Sequence, residues 1–147
     1  MCDNEELEIR IGILEDIEAI KRLKGKYIRC VDRKIWKELE ECFVEDAEAH
    51  YGENNDYIGR DAIIDFLGGC LKEGVVTSSH ECHTPEVEVN ADGTARGVWK
   101  FHDYIVINQK PFLNGWAYYE DEYVKVDGMW KIKTVSYTRD YQETTKL

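Results

Sequence analysis

The sequence predicts an α+β domain in which three helices pack on one face of a strongly curved, mostly antiparallel sheet. Three observations favour this architecture. Apolar residues recur at helical spacing in the first half of the chain, strand-like alternation fills the second half, and no repeat or linker divides the 147 residues. Because 43% of the residues are hydrophobic, residues 1–147 can bury a core as one domain.

The first half of the chain is predicted to form the helices. Residues 5–34 carry one apolar stripe whose members recur every three or four positions: Ile13, Ile17, Ile20, Leu23, Tyr27 and Val31. A second helix is expected over residues 36–46, followed by a short strand at 47–52. Residues 60–71 predict a third helix.

Four antiparallel strands are predicted from His80 onward, because β-branched and aromatic residues alternate there with polar ones. Asn90 to Gly93 and Asp127-Gly128 supply two hairpin turns, since glycine tolerates a positive φ. Residues 108–114, which include Pro111, form the third connection. Such a sheet can curl around the first helix and leave a cone-shaped cavity against its concave face.

The charge balance limits the partners. The chain has 19 basic and 30 acidic residues, and its net charge of −11 repels nucleic acid and anionic membranes. The first residues, MCDNEELEIRIG, lack the apolar segment of a secretory signal, and the longest apolar run is too short for a membrane span. The 5 cysteines form no CxxC pair, which favours free thiols in a reducing cytoplasm.

Strand parity selects the residues that should face the cavity. In the strand at 96–107, Trp99, Phe101 and Asp103 share the apolar face, which should be the inner one. A carboxylate among aromatic rings needs a partner or a function, and the alternative is a solvated position at the rim. The aromatic residues expected to contact substrate, with an ordinary core role as the alternative, are Trp99, Phe101, Trp116 and Tyr119.

The segment SSHECHTPEVEV, residues 78–89, contains the candidate base. Asp32 lies near the end of the first helix, where a negative charge opposes the helix dipole and calls for a protonated partner. His83 is the expected partner, and the pair would form a general base, whereas His80 is expected to be exposed. Cys82 and His83 point to opposite faces of a strand, which disfavours a metal site or a cysteine nucleophile.

These residues belong to a series of local motifs: Tyr27-x4-Asp32, GRDAI at 59–63, HTPEVEV at 83–89, WKFHD at 99–103 and YTRDY at 137–141. From about residue 13 to 142, the series resembles the nuclear transport factor 2-like superfamily, specifically its polyketide-cyclase (SnoaL-like) enzyme branch. Within that branch the motifs are most similar to the bile-acid 7α-dehydratases and, more distantly, to the scytalone dehydratases and hexachlorocyclohexane dehydrochlorinases.

The resemblance implies a cystatin-like fold, a pocket that works without a cofactor, and a homo-oligomer, either a dimer or a trimer. Matched position by position, the catalytic residues that it implies are His83, Asp32, Tyr27 and Asp103. The further substrate contacts that it implies are Tyr51 and Arg139.

The predicted activity is an elimination of the dehydratase type. His83, oriented by Asp32, would remove a proton beside an activated carbon of a small hydrophobic, hydroxylated substrate, for which a polycyclic skeleton is one option. A tyrosine would then hydrogen-bond the developing enolate oxygen. An isomerase or a cyclase shares the same first step, and a non-catalytic ligand-binding module is the alternative from another functional class.

Overall fold

The computed structural model describes residues 4–146, which form three helices on one six-stranded sheet. The helices are α1 (Asn4–Arg33), α2 (Trp36–Glu40) and α3 (Arg60–Cys70). The strands are β1 (Phe43–Tyr51), β2 (Asp56–Ile58), β3 (Val76–Val89), β4 (Thr94–Ile107), β5 (Lys110–Val126) and β6 (Met129–Thr144). The sheet order is β2-β1-β6-β5-β4-β3, and the predicted α+β plan is confirmed.

Helix α1 is the long helix that the apolar stripe predicts. Ile20, Tyr27 and Val31 are buried, and α1 packs mainly against β3, with smaller contacts to α2 and β6. Lys24 occupies the same stripe, four positions after Ile20, and it is buried as well. The stripe therefore carries one charged side chain into the interior.

The second predicted helix is too long. Helix α2 ends at Glu40, and a strand begins at Phe43, where helical spacing had favoured a continuous helix. This strand, β1, runs parallel to β6, with Phe43 opposite Ile132 and Tyr51 opposite Tyr137. Pairing with a strand from the far end of the chain overrides the local spacing, which is why the sequence pattern alone misplaces the boundary.

The last four strands form the predicted antiparallel meander. The third connection is shorter than expected, because Asn108 and Gln109 make a two-residue turn with φ values of 49° and 64°. Pro111 consequently lies inside β5 rather than in a loop. It sits beside a register shift between Ile105 and Val106, where a residue without an N–H group is tolerated.

One bulge in β3 decides which side chains face the cavity. In the part of β3 that is next to the β3–β4 turn, Val89 lies opposite Ala95 and Glu86 opposite Val98. Beyond a register shift between His83 and Glu86, the pairing moves by one residue. The inserted segment contains Thr84 with a φ of 43°, followed by Pro85. A shift of one residue turns every following side chain of β3 to the other face of the sheet.

Among residues 4–146, no helix combines the length and the apolar character needed to cross a bilayer.

Candidate active site

A cavity of about 210 Å³ lies between the helices and the concave face of the sheet. Side chains of α1, β1, α3 and the four meander strands form its wall. Its polar and aromatic lining residues include Tyr27, Tyr51, Phe66, His80, Phe101, Asp103, Tyr119, Tyr137 and Arg139. The wall is thus mainly aromatic and aliphatic, with a few convergent polar groups, as is typical of a small-molecule site.

Asp32 and His80 form a hydrogen-bonded pair in the cavity wall. The Nδ1 atom of His80 lies 2.5 Å from Oδ1 of Asp32, and its backbone N–H donates to Oδ2 at 2.9 Å. Ser78 Oγ donates to Oδ1 at 2.8 Å. Burial raises the pKa of Asp32, but the hydrogen bonds and charge of His80 and the Ser78 bond outweigh it, so the net pKa lies below the ordinary value.

The predicted pairing of Asp32 with His83 is wrong. The side chain of His83 is 50% exposed and lies 3.4 Å from Glu81, whereas the side chain of His80 is only 10% exposed. The bulge explains why His80 takes the place expected for His83. If the pairing next to the β3–β4 turn continued without a bulge, His83 would lie opposite Phe101, on the inner face. With it, His83 lies opposite Lys100, and His80 takes the inner position opposite Asp103.

Asp103 points into the cavity, as strand parity predicts, and it is only 3% exposed. Arg139 binds it through two hydrogen bonds, of 2.5 Å from Nη1 to Oδ1 and 2.9 Å from Nη2 to Oδ2. The predicted neighbour of Asp103 was His83, but its neighbour in the cavity is His80. Since a bidentate arginine pair is among the strongest hydrogen-bonded arrangements in proteins, Asp103 is held in one orientation.

Two tyrosine hydroxyl groups meet at the cavity. Tyr27 Oη and Tyr51 Oη are 3.0 Å apart, and either can be the donor. Burial raises the pKa of both phenols well above the ordinary value. Both hydroxyl groups therefore stay protonated near neutral pH and are available to donate hydrogen bonds.

A buried ion pair lies behind these tyrosines, and the sequence analysis did not identify it. Lys24 Nζ is 2.6 Å from Asp121 Oδ2, and both side chains are essentially inaccessible. Tyr123 Oη also donates to Oδ2, at 2.9 Å. Burial raises the pKa of Asp121, while Lys24 and Tyr123 oppose that shift. The sequence did contain one signal for this ion pair: Lys24 lies within the apolar stripe of α1, where a charged residue is unexpected.

The four predicted aromatic contacts divide into two groups. Phe101 and Tyr119 line the cavity. Trp99 is buried but donates through Nε1 to Tyr123 Oη at 3.1 Å, away from the cavity lining. Trp116 is 38% exposed and stacks on Tyr141, with ring centroids 4.5 Å apart. Trp99 is therefore part of the core and Trp116 lies on the outer face, which corrects both expectations.

The thiols close to the site are poorly suited to nucleophilic chemistry. Cys70 lies in the cavity lining, and partial burial raises the pKa of its thiol. Cys82 lies on the inner side of β3, opposite Phe101, and burial raises the pKa of its thiol to about 11. Among residues 4–146, no group of three or more His, Cys, Asp or Glu side chains is arranged to hold a metal ion.

A larger depression of about 700 Å³ lies elsewhere on the surface. Its charged side chains include Asp46, which is paired with Lys133 at 2.7 Å, and Arg96, which is paired with Glu120 at 3.1 Å. Because these charges are already neutralised and no histidine lines the depression, the smaller cavity is the better candidate for an active site.

Comparison with known proteins supports the same assignment of fold. Residues 12–136 match the model of the SnoaL-like domain family. A candidate scytalone dehydratase from Novosphingobium aromaticivorans DSM 12444 superimposes with a TM-score of 0.82 and 26% identity, covering 91% of this chain and 90% of that one.

Two further solved structures share the fold at lower identity. A hexachlorocyclohexane dehydrochlorinase, LinA type 2, gives a TM-score of 0.81 at 19% identity and covers 90% of each chain. A nuclear transport factor 2-like protein with a cystatin-like fold, also from Novosphingobium aromaticivorans, gives 0.81 at 21% identity and covers 95% of this chain and 92% of that one. The architecture is therefore shared by a dehydrochlorinase and by a protein described as a dehydratase.

Proposed function

Since this chain belongs to the SnoaL-like domain family, we propose that it is a cofactor-independent lyase of the dehydratase type, with His80 as its base. The observation that carries the proposal is the pair formed by His80 and Asp32, in which His80 lies in the wall of the aromatic cavity and Asp32 binds it from behind. Asp32 accepts from Nδ1, so the neutral imidazole presents Nε2 as the proton acceptor. No side chain among residues 4–146 is hydrogen-bonded to that atom.

The first step is removal of a proton from a carbon beside a carbonyl or conjugated group. The electron pair of the broken C–H bond moves onto the oxygen of that group, while Nε2 of His80 takes the proton. Asp32 stabilises the resulting imidazolium, since its carboxylate lies 2.5 Å from the other ring nitrogen.

The Tyr27 and Tyr51 hydroxyl groups are the proposed donors to the developing enolate oxygen. They are protonated, buried and hydrogen-bonded to each other at 3.0 Å. When the substrate oxygen binds, this bond is exchanged for hydrogen bonds from both hydroxyl groups to that oxygen. In an enzyme studied by mutagenesis, removing one hydrogen-bond donor of this kind lowers turnover roughly 10²–10³-fold. We therefore assign the pair a catalytic role.

The second step expels the hydroxyl group as water. Asp103 is poorly placed to donate a proton in this step, because both of its oxygens accept hydrogen bonds from Arg139. The protonated His80 is the better donor: it returns its proton to the leaving oxygen as the C–O bond breaks. The electron pair on the enolate oxygen then re-forms the carbonyl group, and the new C=C bond forms. Asp103 and Arg139 then serve as substrate contacts that orient the hydroxyl-bearing end.

The size of the cavity bears on the substrate. Drug-sized ligands usually occupy cavities of about 300–1,000 Å³. The cavity of about 210 Å³ is smaller, and its wall is largely aromatic. A hydrophobic, hydroxylated substrate of one or two rings therefore fits better than a polycyclic one. Isomerisation or cyclisation of such a molecule would begin with the same proton transfer.

The test begins by identifying a ligand that copurifies with the protein, by mass spectrometry, and screening its hydroxylated relatives for turnover. His80→Ala should then lose about 10²–10⁴-fold in turnover. His83→Ala is the matched control, because His83 lies three residues away on the outer face, and it should keep normal turnover. Normal turnover in His80→Ala, with ligand affinity retained, would overturn the proposal and leave a binding module in its place.

A further inference from the structure

The buried pair of Lys24 and Asp121 has no evident role in folding. Lysine and aspartate are almost never fully buried, and an apolar pair of similar volume usually stabilises a fold at least as well. Here the side chains are 1% and 0% exposed, and their atoms lie 2.6 Å apart. A feature that is costly to bury, and that touches the wall of the cavity, points to a function.

The pair is oriented relative to the cavity. Its positive end lies against the tyrosines of the cavity wall, since Lys24 Nζ is 3.4 Å from the ring centroid of Tyr119 and 4.8 Å from that of Tyr27. Its negative end points the other way, towards Tyr123, whose hydroxyl group donates to Asp121 and accepts from Trp99 Nε1. The two residues thus form a fixed dipole with the ammonium group nearer the tyrosines.

We infer that this dipole is an electrostatic support for the oxyanion site. The Lys24 ammonium group lies behind Tyr27 and stabilises negative charge on an oxygen that is bound to the Tyr27 and Tyr51 hydroxyl groups. In a buried, water-free environment a preorganised dipole is strongly effective and needs no rearrangement during the reaction. The inference rests on the proposed function and makes Lys24 and Asp121 positioning residues, because neither touches the substrate.

The test uses two one-ring probes of nearly equal size, 4-nitrophenolate and the neutral 4-nitroanisole. Their dissociation constants are measured at one mildly alkaline pH by calorimetry. In the double variant Lys24→Met/Asp121→Leu, phenolate affinity should fall roughly tenfold, because the attraction between the buried charges and the bound oxyanion is lost, while anisole affinity stays unchanged. Lys21→Met removes an exposed cation from the same helix and should change neither constant.

Three results separate this inference from the proposed function. If Tyr27→Phe leaves phenolate affinity unchanged, or if the unaltered protein binds neither probe, the proposed oxyanion site fails. If Tyr27→Phe weakens phenolate but the double variant does not, only the role of Lys24 and Asp121 fails. If the double variant weakens both probes equally, the pair is merely structural and the inference is overturned.

A second variant covers the case in which the double variant does not fold. Lys24→Gln/Asp121→Asn removes both charges and keeps two polar side chains of similar size that can hydrogen-bond to each other. The preference for phenolate over anisole should be lost to the same extent. An unchanged preference in the folded Lys24→Gln/Asp121→Asn variant would contradict the inference.

Discussion

Arg139 reaches Asp103 by passing over Gly115. Asp103 on β4 lies opposite Gly115 on β5, and a Cβ atom placed on Gly115 would lie 2.7 Å from Nη1 of Arg139 and 2.8 Å from the backbone oxygen of Tyr141. The central strand must therefore lack a side chain at this position for a β6 arginine to bind a β4 carboxylate. This is a close approach that only glycine allows.

Gly115→Ala should break the Arg139–Asp103 pair and destabilise the fold. The added methyl group meets backbone as well as the guanidinium, so it cannot be accommodated by moving one side chain. The expected loss is about 1–3 kcal/mol in the free energy of unfolding, the usual cost of overpacking, as measured by urea denaturation. Gly25→Ala is the control: nothing lies within 4 Å, and in the middle of α1 it should stabilise by about 1 kcal/mol. Equal stability of Gly115→Ala and the unaltered protein would contradict the prediction.

Asp32→Asn should lose turnover, and its loss should not add to that of His80→Ala. The two residues act as one unit, since Asp32 holds the imidazole through Nδ1. Removal of either leaves little for the other to contribute, as in other catalytic groups that act together. The single and double variants are compared on one substrate. Full additivity of the two losses would show that the pair has no joint role.

Acid should remove the stabilising contribution of Asp32. Because its net pKa in the folded protein is lowered, the contribution is present above the pKa of an unfolded aspartate and is lost as the pH falls through the folded value. Asp32→Asn should therefore be less stable than the unaltered protein near pH 7, and the gap should close below about pH 4. Urea denaturation across this range measures it. A gap that stays constant down to acid pH would show that the carboxylate charge contributes nothing.

Cys82 should resist alkylation in the folded protein. Its pKa of about 11 leaves almost no thiolate near pH 8, whereas Cys70 is exposed at the end of α3. Brief treatment with iodoacetamide, followed by peptide mass spectrometry, should label Cys70 and spare Cys82. Cys70→Ser should abolish this early labelling of the described residues. Equal labelling rates at Cys70 and Cys82 would contradict the burial of Cys82.

Several elements could be predicted because they depend on local pattern. The stripe from Ile20 to Val31 defines the buried face of α1, whereas Ile13, at its predicted start, is exposed. Alternation in β4 places Phe101 and Asp103 inside. Both follow from the geometry of a single element. The same stripe also contains Lys24, so its burial could have been expected from position, although its partner Asp121 lies 97 residues away.

The sequence by itself determined the α+β plan, the aspartate near the end of α1, the inward aspartate within β4, and the two tyrosines of the wall. Only the tertiary structure decided which histidine joins them. A bulge at Thr84 moves the pairing of β3 with β4 by one residue. Because of this shift, His80 faces inward and His83 faces outward. Side chains alternate along a strand, so a one-residue shift exchanges the inner and outer faces. Counting along the sequence cannot detect the shift, because it is fixed by contacts between strands.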